Sequence, residues 1–341
     1  MACITRGQRA LPTKLQYLNR NHQPSILRHL STTPNRRSQP PPPPPTTVTI
    51  PSKSDLNAPI STLPIDLITP APVSPTATLA DKLKRYVEFG RTYLTFYKTG
   101  LKNVYRNYRA SLPLRSQLGL PAYIPVSPPR NSKPSAQSQY AELGLGRGQF
   151  QLVRRSARDV RRMIPFTLIL IICGEFTPLI IPIFGSAITP ATCRVPSQVE
   201  KERVALSARK IAALRAGGVS SADALGALTR YADGGWVAGA DAAEVLRACA
   251  VFGLVKSHEK TGGALLCGLI YRPRLARYVQ YLEIDDGMIR AGGVAGMNAT
   301  EVRIAVEERG GVDVSAGLDR GRAEKVERQW LEKWLAARKS V

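Results

Sequence analysis

A single acid, Glu175, stands at the centre of an apolar run, Met163 to Ala191, that holds no other ionisable side chain. Pro178 follows within one helical turn, and Pro182 lies one turn further on. Inside a bilayer such a carboxyl group is a candidate carrier of a proton or cation. Each interior proline removes a helix hydrogen bond, so carbonyls near Gly174 and Pro178 are freed beside the acid. The alternative is a kinked anchor whose Glu175 is protonated or paired. Ahead of the run stand Arg154, Arg155, Arg158, Arg161 and Arg162, a basic cluster suited to phosphates or lipid headgroups. Other chemistry is sparse. No P-loop or Gly-x-Ser-x-Gly occurs, and "GLGRG" (144–148) lacks dinucleotide-binding spacing. Five cysteines and three histidines are scattered without the spacing of metal ligands. The chain therefore reads as a non-enzyme with no metal, no cofactor and no small-molecule substrate.

These residues need elements to hold them. Spanning about 30 Å of hydrocarbon takes roughly 20 helical residues, and the run 163–191 exceeds that. Its Ile, Leu and Phe side chains offer on the order of −4 to −8 kcal/mol towards insertion, against about +2.5 to +3.5 kcal/mol for a central acid. A transmembrane segment that tolerates Glu175 is the expectation. Upstream, 79–115 carries Leu83, Tyr86, Val87, Tyr93, Leu94, Tyr97, Leu101, Val104 and Tyr108 at helical spacing, with Lys98, Lys102, Arg106 and Arg109 on another face. Such a helix suits a bilayer interface or the surface of its own domain. A loop over 116–147 separates it from a second basic helix, 148–162, whose apolar residues are thin for a core face.

The 341-residue chain has a formal net charge of +23, spread unevenly. The first acid is Asp55. The preceding stretch is basic and rich in Ser, Thr and Gln, the composition of a mitochondrial transit peptide, assigned to 1–35. A basic tail without targeting function is the alternative. Residues 36–78, with Pro40 to Pro45, read as a disordered Pro-rich linker. Basic residues also flank the apolar run on both sides, so the positive-inside bias gives no orientation.

The C-terminal part, 196–341, reads as helical. Ser197-x-x-Glu200 and Asp241-x-x-Glu244 match capping boxes. Asn298 is placed to cap a helix with the face Val302, Ala305 and Val306, ending at Gly310, and a last helix buries Val326, Trp330, Leu331, Trp334 and Leu335. The fold class is thus mainly α, with basic amphipathic helices before one kinked transmembrane helix and an all-helical domain after it.

The stretch "DVRRMIPFTLILIICGEFTPLIIPIFGSAITPATC" resembles the membrane segment of the LETM-type proteins of the mitochondrial inner membrane. The resemblance rests on Arg161, Arg162, Ile164, Pro165, Phe166, Glu175, Phe176, Pro178, Pro190 and Thr192. It extends upstream to "FYKTGLKNVYRNY" (96–108). Downstream it reaches "LRACAVFGL" (246–254), "RLARYVQYLEIDDGMIRAGG" (274–293), "MNATEVRIAVEERGG" (297–311) and "VERQWLEKWLAAR" (326–338). It implies that 196–341 is a ribosome-binding-type domain in the matrix, supporting membrane insertion of translation products and ion homeostasis. The mild charge of that domain favours contact with ribosomal proteins over rRNA. The family's calcium loop and leucine zipper do not carry over: "EIDDGMIRAGG" lacks the alternating oxygen ligands, and no long heptad run follows. A second expectation is cation/proton exchange through Glu175, which one span per chain could perform only as a homo-oligomer. Anionic lipids of the inner membrane are the remaining expected partner.

Overall fold

The computed structural model describes residues 53–67, 78–129, 143–173, 188–220, 223–259 and 263–338. Among the described residues the secondary structure is helical, with no strand. The principal elements are α1 (Lys53–Leu56), α2 (Leu79–Gln117), α3 (Arg147–Cys173), α4 (Pro196–Ala216), α5 (Ala224–Tyr231), α6 (Gly234–Gly239) and α7 (Ala242–Val251). They continue as α8 (Gly263–Leu266), a π turn (Cys267–Tyr271), α9 (Arg272–Gly292), α10 (Ala299–Glu308) and α11 (Arg320–Ala337).

α2 starts where Thr78 accepts from the Asp81 amide and the Asp81 carboxylate accepts from Thr78 in return, which satisfies N-terminal donors reciprocally. α2 and α3 run antiparallel. Phe96 and Tyr97 pack with Phe166, whereas Asn107 bonds Ser61 at the level where Thr62 meets Arg155. Cys193 and Val195 complete this smaller core. Gly100 permits the approach, since a Cβ there would lie 2.7 Å from the Cys193 Sγ and 2.9 Å from the Thr192 carbonyl oxygen.

The larger core is built round α9, which buries Leu275, Val279, Leu282, Ile284 and Ile289 among α5, α6, α7, α10 and α11. α10 buries Val302, Ala305 and Val306 on one face, as its sequence predicts. It stops at Gly310, whose φ of 85° favours glycine and whose Cβ would meet Leu228 at 2.6 Å. α11 buries Leu331, Trp334 and Leu335, while Trp330 is half-buried. Asp241 caps α7 as expected, by accepting from the Glu244 amide. Ser197 does not cap: α4 begins at Pro196 behind Val195, so Ser197 already lies inside the helix. Asn298 occupies the cap position of α10 without a side-chain cap bond; its backbone N–H donates to the Asn57 side-chain oxygen.

Three further expectations change. Residues 53–67, read as linker, form α1 and a short 3-10 turn; Leu56 is buried, and Asn57 donates to the Gly296 carbonyl. The basic helix and the start of the apolar run are one helix, so Pro165 lies deep inside α3 and the Arg161 carbonyl loses its helical partner. Finally, no helix among the described residues is long and apolar enough to cross a membrane. The single transmembrane helix therefore lacks structural support, and Glu175 and Pro178 lie outside the described residues.

α4 brings one costly residue. Lys210 is buried and donates to the Glu307 carbonyl at 2.5 Å. Burial lowers its ammonium to about 8, against the raising influence of Glu307 and Glu308. The folded chain then binds fewer protons than the unfolded one between about 8 and the ordinary lysine value near 10.4. Lys210 costs stability at neutral pH, and the cost fades as pH rises through that window. Lys210→Met is expected to stabilise the fold by about 1–3 kcal/mol at neutral pH. The gain should shrink towards zero above the window. Denaturant melts of both proteins at three pH values measure it, and a pH-independent difference would count against this assignment.

Candidate functional site: an arginine centre and cleft

The face of α3 that reads as thin for a core is buried: Phe150, Val153 and Ala157 have no solvent exposure, and neither does Gln151. Its arginines turn inward with them. Arg147 donates to Asp285 at 2.8 Å, to Glu301 at 3.0 Å and to the Leu56 carbonyl at 3.1 Å. Arg155 grips Glu301 with two bonds, at 2.7 and 2.9 Å. From the end of α10, Arg309 reaches Asp285 at 2.7 Å and Asp286 at 2.6 Å. Asp286 also accepts from Arg338 at 2.9 Å and from the Trp334 indole at 3.1 Å.

Charges so deep persist only when paired and hydrogen-bonded, since each ion alone loses several kcal/mol of solvation. Burial would push the Asp285 carboxyl up, but the guanidinium groups of Arg147 and Arg309 outweigh it and hold the group below the usual carboxylate range. Glu308 behaves alike. Burial raises it, Arg154 lowers it, and the net direction is down. Burial pushes the Tyr281 phenol well above its ordinary value, so it stays neutral. It donates to Glu308 at 2.6 Å and accepts from Gln151 at 2.9 Å. This centre ties α3, α9, α10 and α11 together. Its carboxylates are consumed by arginines, which leaves no free general base, and no group of three or more metal-ligating side chains is found among the described residues.

Beside the centre opens a cleft of about 660 Å³ between α3, α9 and the segment Val126–Pro129. Arg154 lies across its floor, paired with Glu308 at 3.0 Å and stacked 3.2 Å over the Tyr281 ring. Arg161 donates to the Ser127 hydroxyl at 2.6 Å. Arg158, Arg274 and Arg277 line the same space and make no salt bridge among the described residues; Asp159, next to Arg158, accepts from the Ala191 amide instead. Across the entrance to this segment, Arg115 is buried and donates to the carbonyls of Pro121, Ile124 and Val126, which fixes the far wall.

Of the sequence-predicted cluster, four members converge: Arg154, Arg155, Arg158 and Arg161 all line the cleft. Arg154 and Arg155 are spent on Glu308 and Glu301, which makes them structural. Arg162 faces Arg194 and Asp159 instead, where burial and the neighbouring positive charges of Arg194 and Arg158 lower it to about 10. Arg274, Arg277, Tyr278 and Tyr281 were missed. Their i, i+3, i+4, i+7 spacing in "RLARYVQY" places them on one helix face, a pattern equally compatible with a solvated stripe.

Fold and site together define a mainly helical protein with an arginine-lined cleft. A family model described as the pentamidine resistance factor domain matches residues 81–291. The chain belongs to that family, which is mitochondrial, and this places it among mitochondrial proteins. The LETM-type resemblance is thereby corrected: the match is to a different family, and no LETM model matches. That resemblance is anchored in the apolar run and carried only by short stretches beyond it, whereas the matched region extends through α2, α3 and α9. No curated protein and no solved structure matches the chain.

Proposed function

We propose that the protein is a membrane-docked binding protein of the mitochondrial inner membrane, acting by holding a partner rather than by catalysis. One observation carries this reading. A single face of α3 changes from arginine to apolar along its length, through Arg154, Arg158 and Arg161 to Ile164, Leu168, Ile171 and Ile172. All four apolar members are exposed, Ile171 by 74%. The neighbouring end of α2 leaves Leu79, Leu83, Tyr86 and Val87 exposed as well, amid Lys82, Lys84, Arg85 and Arg91. Apolar side chains rimmed by cations suit an anionic lipid surface. Burying the four on α3 at about 1.5–3 kcal/mol each outweighs a cost of about 2.5–3.5 kcal/mol for Glu175 in a bilayer. In this reading the run 163–191 anchors the chain as a single span.

The test is alkaline carbonate extraction of mitochondria carrying the full chain. Wild type is expected to stay in the membrane pellet, and Leu168→Arg/Ile171→Arg/Ile172→Arg to shift to the supernatant. Release of the wild type would remove the proposal. Ribosome binding came with the LETM-type resemblance and has lost that support; cation/proton exchange keeps only the lone acid of the apolar run, Glu175.

A further inference from the structure

We propose that the cleft between α3 and α9 binds a phosphate-bearing anion, held by Arg158, Arg161, Arg274 and Arg277. Guanidinium groups present planar forks that match phosphate oxygens, and several together neutralise a phosphodiester better than one point charge does. The only acid on the lining, Glu308, is already taken by Arg154 and Tyr281. Three of the four arginines make no salt bridge among the described residues, and the fourth bonds neutral oxygens, the Ser127 hydroxyl and the Ala157 carbonyl. The repulsion is visible on Arg161: partial burial first, then the like charges of Arg158, Arg154 and Arg115, hold its guanidinium below arginine's ordinary value. A bound anion relieves that repulsion.

The position of the cleft favours a phospholipid headgroup as the source of the phosphate. Arg161 and Ile164 are three residues apart, about 4.5 Å of helix rise and on neighbouring positions of one face. A headgroup in the cleft can therefore lay its acyl chains along Ile164 and Leu168. This assignment of the source rests on the membrane-docked reading above; the anion site itself does not.

The experiment titrates the detergent-solubilised full chain with three probes: dihexanoyl phosphatidylglycerol, dihexanoyl phosphatidylcholine and inorganic phosphate. Tryptophan fluorescence and thermal shift report binding. The anionic lipid is expected to bind, and Arg158→Gln/Arg274→Gln/Arg277→Gln to weaken it at least about tenfold, since each cation near an anionic surface counts for roughly fivefold. The matching Lys triple should recover part of the loss. If the Gln triple loses helix by circular dichroism, Arg274→Gln and Arg277→Gln singly, each about fivefold weaker, carry the test. Inorganic phosphate binding as tightly as the lipid supports the site and identifies free phosphate as its source. Wild-type-like binding by the variants overturns the proposal. So does equally tight binding of a poly-glutamate peptide, which would make the cleft a docking site for acidic protein segments. Because every probe is soluble, failure here is distinguishable from release in the carbonate assay.

Discussion

Asp285→Asn is expected to lower the stability of the folded chain by about 3–5 kcal/mol, the cost of breaking a buried ion-pair network by removing one partner. Asp285 has no exposure and accepts from Arg147, Gln151 and Arg309 at 2.7 to 2.8 Å. Asparagine keeps the shape but offers one acceptor oxygen, and its amide N–H groups must face a guanidinium. Arg147 keeps Glu301 and Arg309 keeps Asp286, which is why the expected loss stays within the range for a single broken pair. Urea melts of solubilised protein measure it. The pH dependence gives a second readout. A carboxyl whose folded value lies below its ordinary one contributes stability that is present above the unfolded value and is lost as pH falls through the folded one. The wild-type advantage should stay level from neutral pH down to about pH 4 and shrink only below that. A loss under about 1 kcal/mol, of the size expected for a surface pair, would show that the centre is not the keystone of the fold.

Trp334→Ala should be nearly as damaging, at about 3–5 kcal/mol for a large side chain removed from a packed core. Trp334 is completely buried, stacks on Trp330 at 5.8 Å between ring centroids and donates its indole N–H to Asp286. Alanine leaves a cavity and removes one of the donors on Asp286. Trp334→Phe retains most of the packing and should cost about 1–3 kcal/mol, the hydrogen bond to a charged group being its chief loss. Hydrogen exchange discriminates further: protection in α11 should fall before that in α3. Uniform loss along the chain would show that α11 does not open as a separate unit.

Much of the helical framework was legible in the sequence, because its signals are local. The face Val302, Ala305 and Val306 and the stop at Gly310 are read from spacing alone. α2 was placed within two residues of its end. The arginine centre was not legible, for a physical reason. Arg147 finds Asp285 at 138 positions' remove and Arg155 finds Glu301 at 146, and no local pattern announces a partner so distant. Without those acids, an arginine-rich helix reads as a surface. The pair Asp285 and Asp286 gives no local sign of its partners either, since α9 also carries Arg272, Arg274, Arg277, Glu283 and Arg290, and acids on such a helix are equally compatible with solvent. The cleft is half visible: α3 supplies its arginines in one cluster, while Arg274 and Arg277 come from a segment read only through its LETM-type resemblance.

The continuity of α3 has a mechanical consequence. Its first turns are locked in the arginine centre, and its last turns leave Ile164, Leu168, Ile171 and Ile172 exposed while Phe166 packs against α2. No loop intervenes to act as a swivel. The softest joint is the single backbone bond missing at Pro165. Tilt at the apolar end is thus delivered, as by a lever, to Arg155 and its grip on Glu301. The direction of the exposed apolar end and the integrity of the interior are one degree of freedom, not two.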